Sequence, residues 1–211
     1  MFTMRTLREG RWPLAVLAVL SLAGLFWCSA AAAISLALLA FTVAFFRDPR
    51  RVATVNASLI VAPADGRVVE ITRAAEPHFL RGNAKMVAIF LSVFDVHVQR
   101  APLAGEIKLV RYQPGKFLDA RNPQAGALNE SRLVGIESAD GFRVTVRQIA
   151  GKIARRVVGW SGEGARVARG ERIGMIRFGS RVELYLPATV EIAVAIGDAV
   201  KGGETIIARR P

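Results

Sequence analysis

Three residue types that cooperate in nucleophilic catalysis occur here in suggestive settings. Ser180 follows Gly179 between two short apolar runs, His97 lies near the end of a long apolar run, and Asp65 lies in a Pro-Ala-Asp-Gly stretch. A serine hydroxyl becomes a nucleophile when a base takes its proton, and a carboxylate best holds that base in one tautomer. Ser180, His97 and Asp65 are candidates for these roles, but their spacing does not establish that they meet.

Simpler structural explanations exist for each of these residues. A Gly-Ser pair is typical of a β-turn, a histidine beside apolar residues packs in a core, and an Asp before Gly hydrogen-bonds its own turn. The only other histidine, His78, lies in a Glu-Pro-His-Phe stretch typical of a turn. No histidine or cysteine pair has metal-ligand spacing, so the sequence predicts no metal site. Phosphate-binding loops and dinucleotide fingerprints are absent as well.

The N-terminal part of the chain is strongly apolar. Thirty-five residues from Trp12 to Phe46 carry no charge, whereas about 20 suffice for one membrane span. We predict a helical hairpin over 13–28 and 31–46, with its bend at 29–33, that either spans the membrane or enters it as a re-entrant anchor. Arginines flank both ends, and the positive-inside rule places both on the cytoplasmic side of a cell membrane. A cleaved signal peptide is the alternative, although this run exceeds the usual apolar core of such peptides.

The charge balance points to an anionic partner. Twenty-nine Lys and Arg residues stand against 17 Asp and Glu, which leaves a net charge of +12. Nucleic acid and anionic lipid are the usual partners of such a protein, and the apolar N-terminus favours lipid. The aromatic residues are not interleaved with basic ones as a base-stacking surface requires, so we predict no nucleic-acid partner. Cys28 is the only cysteine, which excludes an intramolecular disulfide.

The remaining chain, residues 47–211, has the pattern of a mainly β domain. Short Val- and Ile-rich segments separated by Gly, Pro and Asp predict strands within 58–71, 85–98, 101–112, 141–149 and 181–186. No segment beyond the anchor has sustained helical periodicity, and 114–132 is predicted to be a long loop. Residues 193–206 resemble a turn of lipoyl- and biotinyl-type barrel-sandwich domains. We therefore predict a membrane anchor over 1–46 and a barrel-sandwich-like domain over 47–211.

Two other classes of protein join similar features. Membrane-tethered adaptors of efflux or secretion systems combine an N-terminal membrane segment with lipoyl-like turns, but they carry a long helical hairpin that is not predicted here. A lipoyl or biotinyl carrier needs a modifiable lysine at a hairpin tip, and neither Lys152 nor Lys201 has the required neighbours.

Five ordered motifs carry a family resemblance. They are Pro63–Gly66, Phe94–Pro102, Pro114–Phe117, Asn129–Glu130 and Arg177–Arg181. With their order and spacing, the chain from about residue 48 to its C-terminus resembles the short bacterial type of phosphatidylserine decarboxylase proenzyme. This resemblance implies a pyruvoyl-dependent carboxy-lyase that converts phosphatidylserine to phosphatidylethanolamine and CO2 at an anionic membrane surface.

The resemblance also implies self-processing. Ser180 would attack the carbonyl of Gly179, and the chain would separate into fragments 1–179 and 180–211 that stay together as a heterodimer. Ser180 would become the covalent pyruvoyl group that forms a Schiff base with the substrate amine. His97 is the implied base and Asp65 its orienting partner. Candidates for binding the substrate phosphodiester are Lys116, Arg100, Arg132 and Arg181.

Overall fold

The chain forms two compact units, Met1–Arg50 and Arg51–Pro211. The structure, a computed structural model, describes residues 3–54, 56–119, 122, 124–152, 156–177 and 180–211. The boundary lies slightly beyond the one drawn from the sequence, between residues 46 and 47. Asp48 lies on the side of the first unit, and its carboxylate accepts a hydrogen bond of 3.0 Å from the Thr3 hydroxyl.

The first unit contains two apolar helices, α1 (Met4–Trp27) and α2 (Ser29–Phe45). Helix α1 begins earlier than the predicted 13–28 because Thr3 and Thr6 form a capping box that satisfies the first backbone N–H groups. Hydrophobicity alone, which guided the prediction, does not report such a cap. Helix α1 is long and apolar enough to cross a membrane, and α2 is a shorter apolar helix of 17 residues.

The bend of this helical pair lies at Cys28 rather than at 29–33, which are the first residues of α2. Cys28 has an extended backbone, and its N–H donates to the Gly24 carbonyl at 2.8 Å. A Cβ at position 24 would lie 2.7 Å from the backbone N of Ala32. Glycine therefore permits the close approach of the two helices, as small residues commonly do in apolar helix pairs.

The second unit is built from fourteen strands and one short helix in the described part of the chain, which confirms the mainly β prediction. The strands are β1 (Leu59–Val61), β2 (Gly66–Glu76), β3 (Gly82–Leu91), β4 (Val98–Arg100), β5 (Gly105–Gln113), β6 (Ser131–Glu137), β7 (Arg143–Ile149), β8 (Val157–Gly159), β9 (Arg166–Val167), β10 (Arg172–Ile176), β11 (Ser180–Pro187), β12 (Glu191–Ile192), β13 (Ala199–Val200) and β14 (Ile206–Arg209). The helix is α3 (Ala125–Leu128). Helix α3 and the start of β6 correct the expectation of one continuous loop over 114–132.

The strands form one large sheet and two small ones. The eight-stranded sheet has the order β13-β2-β3-β11-β7-β6-β5-β9, and the small sheets have the orders β4-β10-β8 and β1-β14-β12. All of the ladder pairings between the strands named above are antiparallel. Register shifts in β2 and β5 bend the large sheet, because a bulge increases local twist.

Strand β11 shows how the two faces of the large sheet differ. Val182, Leu184 and Leu186 are fully buried in the main core, together with Val87 and Ile89 of the neighbouring β3. The alternate residues point to the other face, because side chains alternate along a strand. A smaller cluster of Ala84, Met86, Ala88 and Tyr185 lies on that face. Ser180 therefore shares the core face, by its register, with Val182.

Candidate active site

Ser180 is the first residue of β11 and is completely buried. It pairs with Leu91, the last residue of β3, while the next residue, Arg181, pairs with Ile149 at the end of β7. The Ser180 Oγ has no hydrogen-bond partner among the described residues. Buried hydroxyl groups normally have such partners, and an exception calls for an explanation such as a reactive role. Ser180 thus lies at a buried strand end and not at the exposed position that a Gly-Ser turn would suggest.

His97 lies directly before β4 and is also fully buried. Its Nδ1 atom is 2.9 Å from the carbonyl oxygen of Asp95. A carbonyl oxygen only accepts hydrogen bonds, so Nδ1 carries a proton, and in the neutral form of the ring the lone pair belongs to Nε2. A general base needs such an unprotonated nitrogen in a fixed orientation.

Backbone pairing at two points brings the segments of Ser180 and His97 together. At one end Ser180 pairs with Leu91, and at the other the N–H of Ile176 donates to the His97 carbonyl at 3.2 Å. Only three residues separate Ile176 from Ser180 in the sequence. The segment that leads into the Gly-Ser bond is therefore held beside the segment that carries the imidazole. Gly179, whose carbonyl carbon is the predicted target of the serine, lies outside the described residues.

A tight turn links Leu91 to His97. The Asp95 carboxylate accepts hydrogen bonds from the backbone N–H and the hydroxyl of Ser92, at 2.8 and 2.7 Å. The same turn fixes the Asp95 carbonyl that binds the imidazole. Sequence reasoning gave Asp95 no role, although a Ser followed three residues later by Asp is a signal for such a turn.

Asp65 lies close to these segments and has two defined partners. Its carboxylate is 2.6 Å from a guanidinium nitrogen of Arg51 and accepts a 2.8 Å hydrogen bond from the Gly202 N–H. The turn is attached to β4, because the Arg100 N–H donates to the Pro63 carbonyl at 2.8 Å. Burial raises the pKa of Asp65, and the bonds to Gly202 and Arg51 offset only part of that effect. The negative charge of Asp95 raises this pKa further.

The four cations predicted to bind phosphate lie in different environments. Arg100 and Arg132 are buried and donate to the backbone carbonyls of Gly170 and Ile173, at 2.9 and 3.4 Å. Burial lowers the pKa of Arg132.

Arg181 is ion-paired with Glu183 and Glu70, at 2.8 and 2.7 Å, and these two carboxylates raise its pKa despite the opposing effect of burial. Lys116 is the one exposed member of the four.

Lys116 is nevertheless attached to the end of the sheet that carries Ser180. Its backbone exchanges hydrogen bonds with Leu128 and Glu130, at 2.7 and 3.0 Å. The Asn129 side chain joins this loop to β7, because its Nδ2 donates to the carbonyl of Leu118 at 2.8 Å and to that of Ala150 at 2.7 Å. The Asn-Glu motif thus has a structural function, and the sequence gave no indication of it.

The described residues contain no group of three or more His, Cys, Asp or Glu that could hold a metal ion. Titratable side chains near Ser180 in the described part of the chain include His97, Asp95 and Asp65, and their described hydrogen bonds go to protein atoms. Proton transfer to and from Ser180 is the chemistry that this set of side chains can support.

Comparison with known proteins decides the family. The model of the phosphatidylserine decarboxylase family matches residues 38–208. A phosphatidylserine decarboxylase proenzyme from Symbiobacterium thermophilum is 47% identical over 208 residues, which cover 97% of this chain and 95% of the relative. The chain belongs to the phosphatidylserine decarboxylase family. The resemblance inferred from the five motifs is confirmed.

Other relatives extend this similarity over nearly the whole chain. The phosphatidylserine decarboxylase proenzyme from Carboxydothermus hydrogenoformans is 43% identical over 96% of this chain and 95% of its own length. The one from Nitratidesulfovibrio vulgaris is 47% identical over 93% of this chain and 90% of its own length. Membership in a family of decarboxylases argues against the adaptor and carrier alternatives.

The raised pKa of Asp65 leads to a stability prediction. Folded Asp65 keeps its proton to a higher pH than in the unfolded chain, where the pKa is near 3.8. Its contribution to the free energy of unfolding therefore falls as the pH rises from about 3.8 to the higher pKa of the folded state, and it stays low at neutral pH. We expect the Asp65→Asn variant to lack this decrease and to be as stable as the wild type, or more stable, at pH 7. Asn keeps an acceptor for Gly202.

Urea unfolding of both proteins from about pH 3 to about pH 7 measures this difference. The Asp198→Asn variant, in an exposed turn, is the control and is expected to follow the wild-type curve. The prediction is contradicted if the free energy of unfolding of Asp65→Asn changes with pH in parallel with that of the wild type across this range.

Proposed function

We propose that this chain is a self-processing phosphatidylserine decarboxylase that converts phosphatidylserine to phosphatidylethanolamine and CO2. One observation carries the proposal: the buried Ser180 Oγ lacks a partner among the described residues and lies beside the segment of an oriented His97. The names of the relatives support the substrate and the proenzyme character, since each is called a phosphatidylserine decarboxylase proenzyme.

The proposed first step converts an amide into an ester. His97 takes the Ser180 Oγ proton at Nε2 while Oγ attacks the carbonyl carbon of Gly179. The C–N bond then breaks, and the nitrogen of Ser180 leaves as a free amine after gaining a proton. The one-tautomer orientation of the imidazole supports this role, because proton transfer needs a base with a fixed lone pair. Glycine suits position 179, because it leaves the attacked carbonyl sterically open.

The second step cuts the chain. A base removes the Cα proton of residue 180, the Cβ–Oγ bond breaks, and Gly179 leaves with a free carboxylate. The remaining dehydroalanine takes up water and releases ammonia, which yields a pyruvoyl group at the start of fragment 180–211. Fragment 1–179 would remain bound through the β11 ladders with β3 and β7, which are continuous on both sides of the strand.

The environment of Ser180 fits a pyruvoyl group at this position. The group would be held covalently at the start of β11, and its carbonyl serves as an electron sink when the substrate carboxylate departs as CO2. Asp65 is proposed to support the base electrostatically, and its second partner Arg51 would balance the charge. Lys116 is our candidate for the substrate phosphodiester, because the described bonds of Arg100, Arg132 and Arg181 go to protein acceptors.

Intact-protein mass spectrometry tests the cleavage. We expect wild-type protein to contain fragments 1–179 and 180–211, the smaller one blocked to Edman degradation. Ser180→Ala should remain a single 211-residue chain without decarboxylase activity, because it lacks the nucleophile. Ser131→Ala is the matched control, since it removes a buried hydroxyl from the same sheet and should leave cleavage intact. An uncut wild-type chain with full activity contradicts the proposal.

The two histidines provide a matched pair for testing the base. We expect His97→Gln to slow self-cleavage by at least about 100-fold, as is typical for the loss of a positioned general base. His78→Gln should cleave at the wild-type rate, because His78 lies in a turn and contacts the Arg111 guanidinium at 2.9 Å. Time courses of fragment formation after cell-free synthesis measure both rates. Cleavage of His97→Gln at the wild-type rate would remove His97 from the mechanism.

We further propose that the chain is anchored at the cytoplasmic face of the cell membrane by α1 and α2. Their apolar sequences and the flanking Arg5, Arg8 and Arg47 support this location. Alkaline extraction of membranes should leave the protein in the pellet, and protease added outside spheroplasts should not cut residues 51–211. Release into the alkaline supernatant contradicts anchoring, and external cleavage contradicts the assigned face.

A further inference from the structure

A chain of buried polar side chains crosses between two sheets and ends on the backbone of His97. The Arg132 guanidinium of β6 is 3.0 Å from Gln148 Oε1 of β7, and Gln148 Nε2 is 2.8 Å from Gln99 Oε1 of β4. Gln99 Nε2 is 2.9 Å from the carbonyl oxygen of His97. Gln99 and Gln148 are fully buried, and Arg132 is nearly so. We call these three residues the inter-sheet relay.

The guanidinium determines the direction of every hydrogen bond in the relay. Arginine has donors but no acceptor, so it must donate to the Gln148 Oε1. The Gln148 amide nitrogen then has to donate to the Gln99 Oε1, and the Gln99 nitrogen to the His97 carbonyl. Neither amide can turn over without placing two donors or two acceptors opposite each other. The relay therefore holds the His97 carbonyl in a single arrangement, together with the 3.2 Å hydrogen bond from the Ile176 N–H.

Two glycines make the space that the relay occupies. A Cβ at position 174 would lie 2.8 Å from the Gln148 Nε2, and one at position 159 would lie 2.5 Å from the guanidinium carbon of Arg132. Both glycines belong to the small sheet that faces the relay, on β10 and β8. Buried amides cost free energy relative to apolar side chains unless all of their groups are bonded. Apolar residues would fill this space without that requirement, so packing does not explain the relay.

We propose that Arg132, Gln148 and Gln99 are positioning residues for the self-cleavage reaction, which act through the backbone of His97. This inference rests on the proposed function of His97 as the base. The relay fixes the His97 carbonyl, while the Asp95 carbonyl fixes the imidazole Nδ1 at 2.9 Å. Together they orient the lone pair of Nε2. The assignment gives Arg132 an internal role in place of the phosphate-binding role predicted from the sequence.

The Gln99→Met variant tests the relay, because methionine preserves the side-chain length and removes both hydrogen bonds of the Gln99 side-chain amide. We expect self-cleavage of the full chain to slow by about 10- to 100-fold, as small displacements of a reacting group typically do. Thr145→Val is the matched control: Thr145 is fully buried on β7, and its hydroxyl contacts Glu76 at 3.3 Å, outside the relay. It should cleave at the wild-type rate. Thermal unfolding of both variants checks that they are folded, and Gln148→Met replaces Gln99→Met if the latter is not.

Combined substitutions separate positioning from a merely structural role. If Gln99 and Gln148 act in one relay, the Gln99→Met/Gln148→Met variant should cleave no more slowly than the slower single variant, whereas adding Thr145→Val should leave each rate unchanged. In the His97→Ala background, Gln99→Met should cause no further loss of residual cleavage. The proposal would be overturned if the rate losses of Gln99→Met and Gln148→Met multiplied in the double variant. It would also be overturned if Gln99→Met slowed the residual cleavage of His97→Ala further.

Wild-type protein run in parallel distinguishes failure of the proposed function from failure of the relay. A wild-type chain that does not cut between Gly179 and Ser180 rejects the proposed function, and the relay with it. A wild type that cuts, together with folded Gln99→Met and Gln148→Met variants that cut equally fast, rejects the relay alone.

Discussion

The antiparallel pairing of β11 with β3 is the constraint on which the candidate site depends. It places Ser180 opposite Leu91, at the point where β3 ends and the turn leading to His97 begins. A shift of one residue in this register would move Ser180 from the core face to the opposite face and separate it from the imidazole segment. Eight consecutive residue pairs between the two strands, from Ser180–Leu91 to Pro187–Ala84, hold the register. The apolar alternation of Val182, Leu184 and Leu186 makes a one-residue slip costly, because it would move these side chains out of the main core.

Around this fixed point, the structure concentrates buried polar groups at one end of the large sheet. Asn129 ties the 116–118 loop to the end of β7, Asp95 closes the turn before His97, and Asp65 bonds Gly202 and Arg51. Each of these groups has a defined partner, which makes the site rigid, since a low dielectric strengthens satisfied hydrogen bonds and penalises unsatisfied ones. The Ser180 Oγ differs from them within the described part of the chain. A buried hydroxyl that these hydrogen bonds leave unused is a suitable setting for a nucleophile.

The role of arginine in this unit is largely internal. Arg51, Arg100, Arg132 and Arg181 all bond carbonyl or carboxylate oxygens of the same unit. A net charge of +12 therefore overstates the positive surface that is available to a lipid. Planar guanidinium groups suit such internal positions, because several donors in a fixed geometry can bridge strands that lack side-chain acceptors of their own. Lys116 is exposed, which is why we propose it, rather than these arginines, as the ligand of the substrate phosphodiester.

The sequence by itself determined the mainly β class, the apolar N-terminal segment and the family. Val- and Ile-rich runs bounded by Gly, Pro and Asp encode strands locally, and the five motifs are contiguous in the chain. Ser180, His97 and Asp65 were recognisable as candidates because their residue types carry the chemistry. The break at Cys28, helix α3 and strand β6 were not found, since caps and packing of neighbouring segments decide them rather than periodicity.

Only the tertiary structure decided which side chains share a site. Gln99 and Gln148 are 49 residues apart in the chain, and their side chains meet because the fold brings β4 of a small sheet next to β7 of the large sheet. Glutamine does not indicate a role by its residue type, and the sequence does not distinguish a buried glutamine from one at the surface. Arg132 likewise has a side chain that commonly binds phosphate, but its position on β6 buries that side chain in the protein interior. Contacts of this kind arise when segments distant in the sequence pack together, and local residue patterns do not predict which segments will do so.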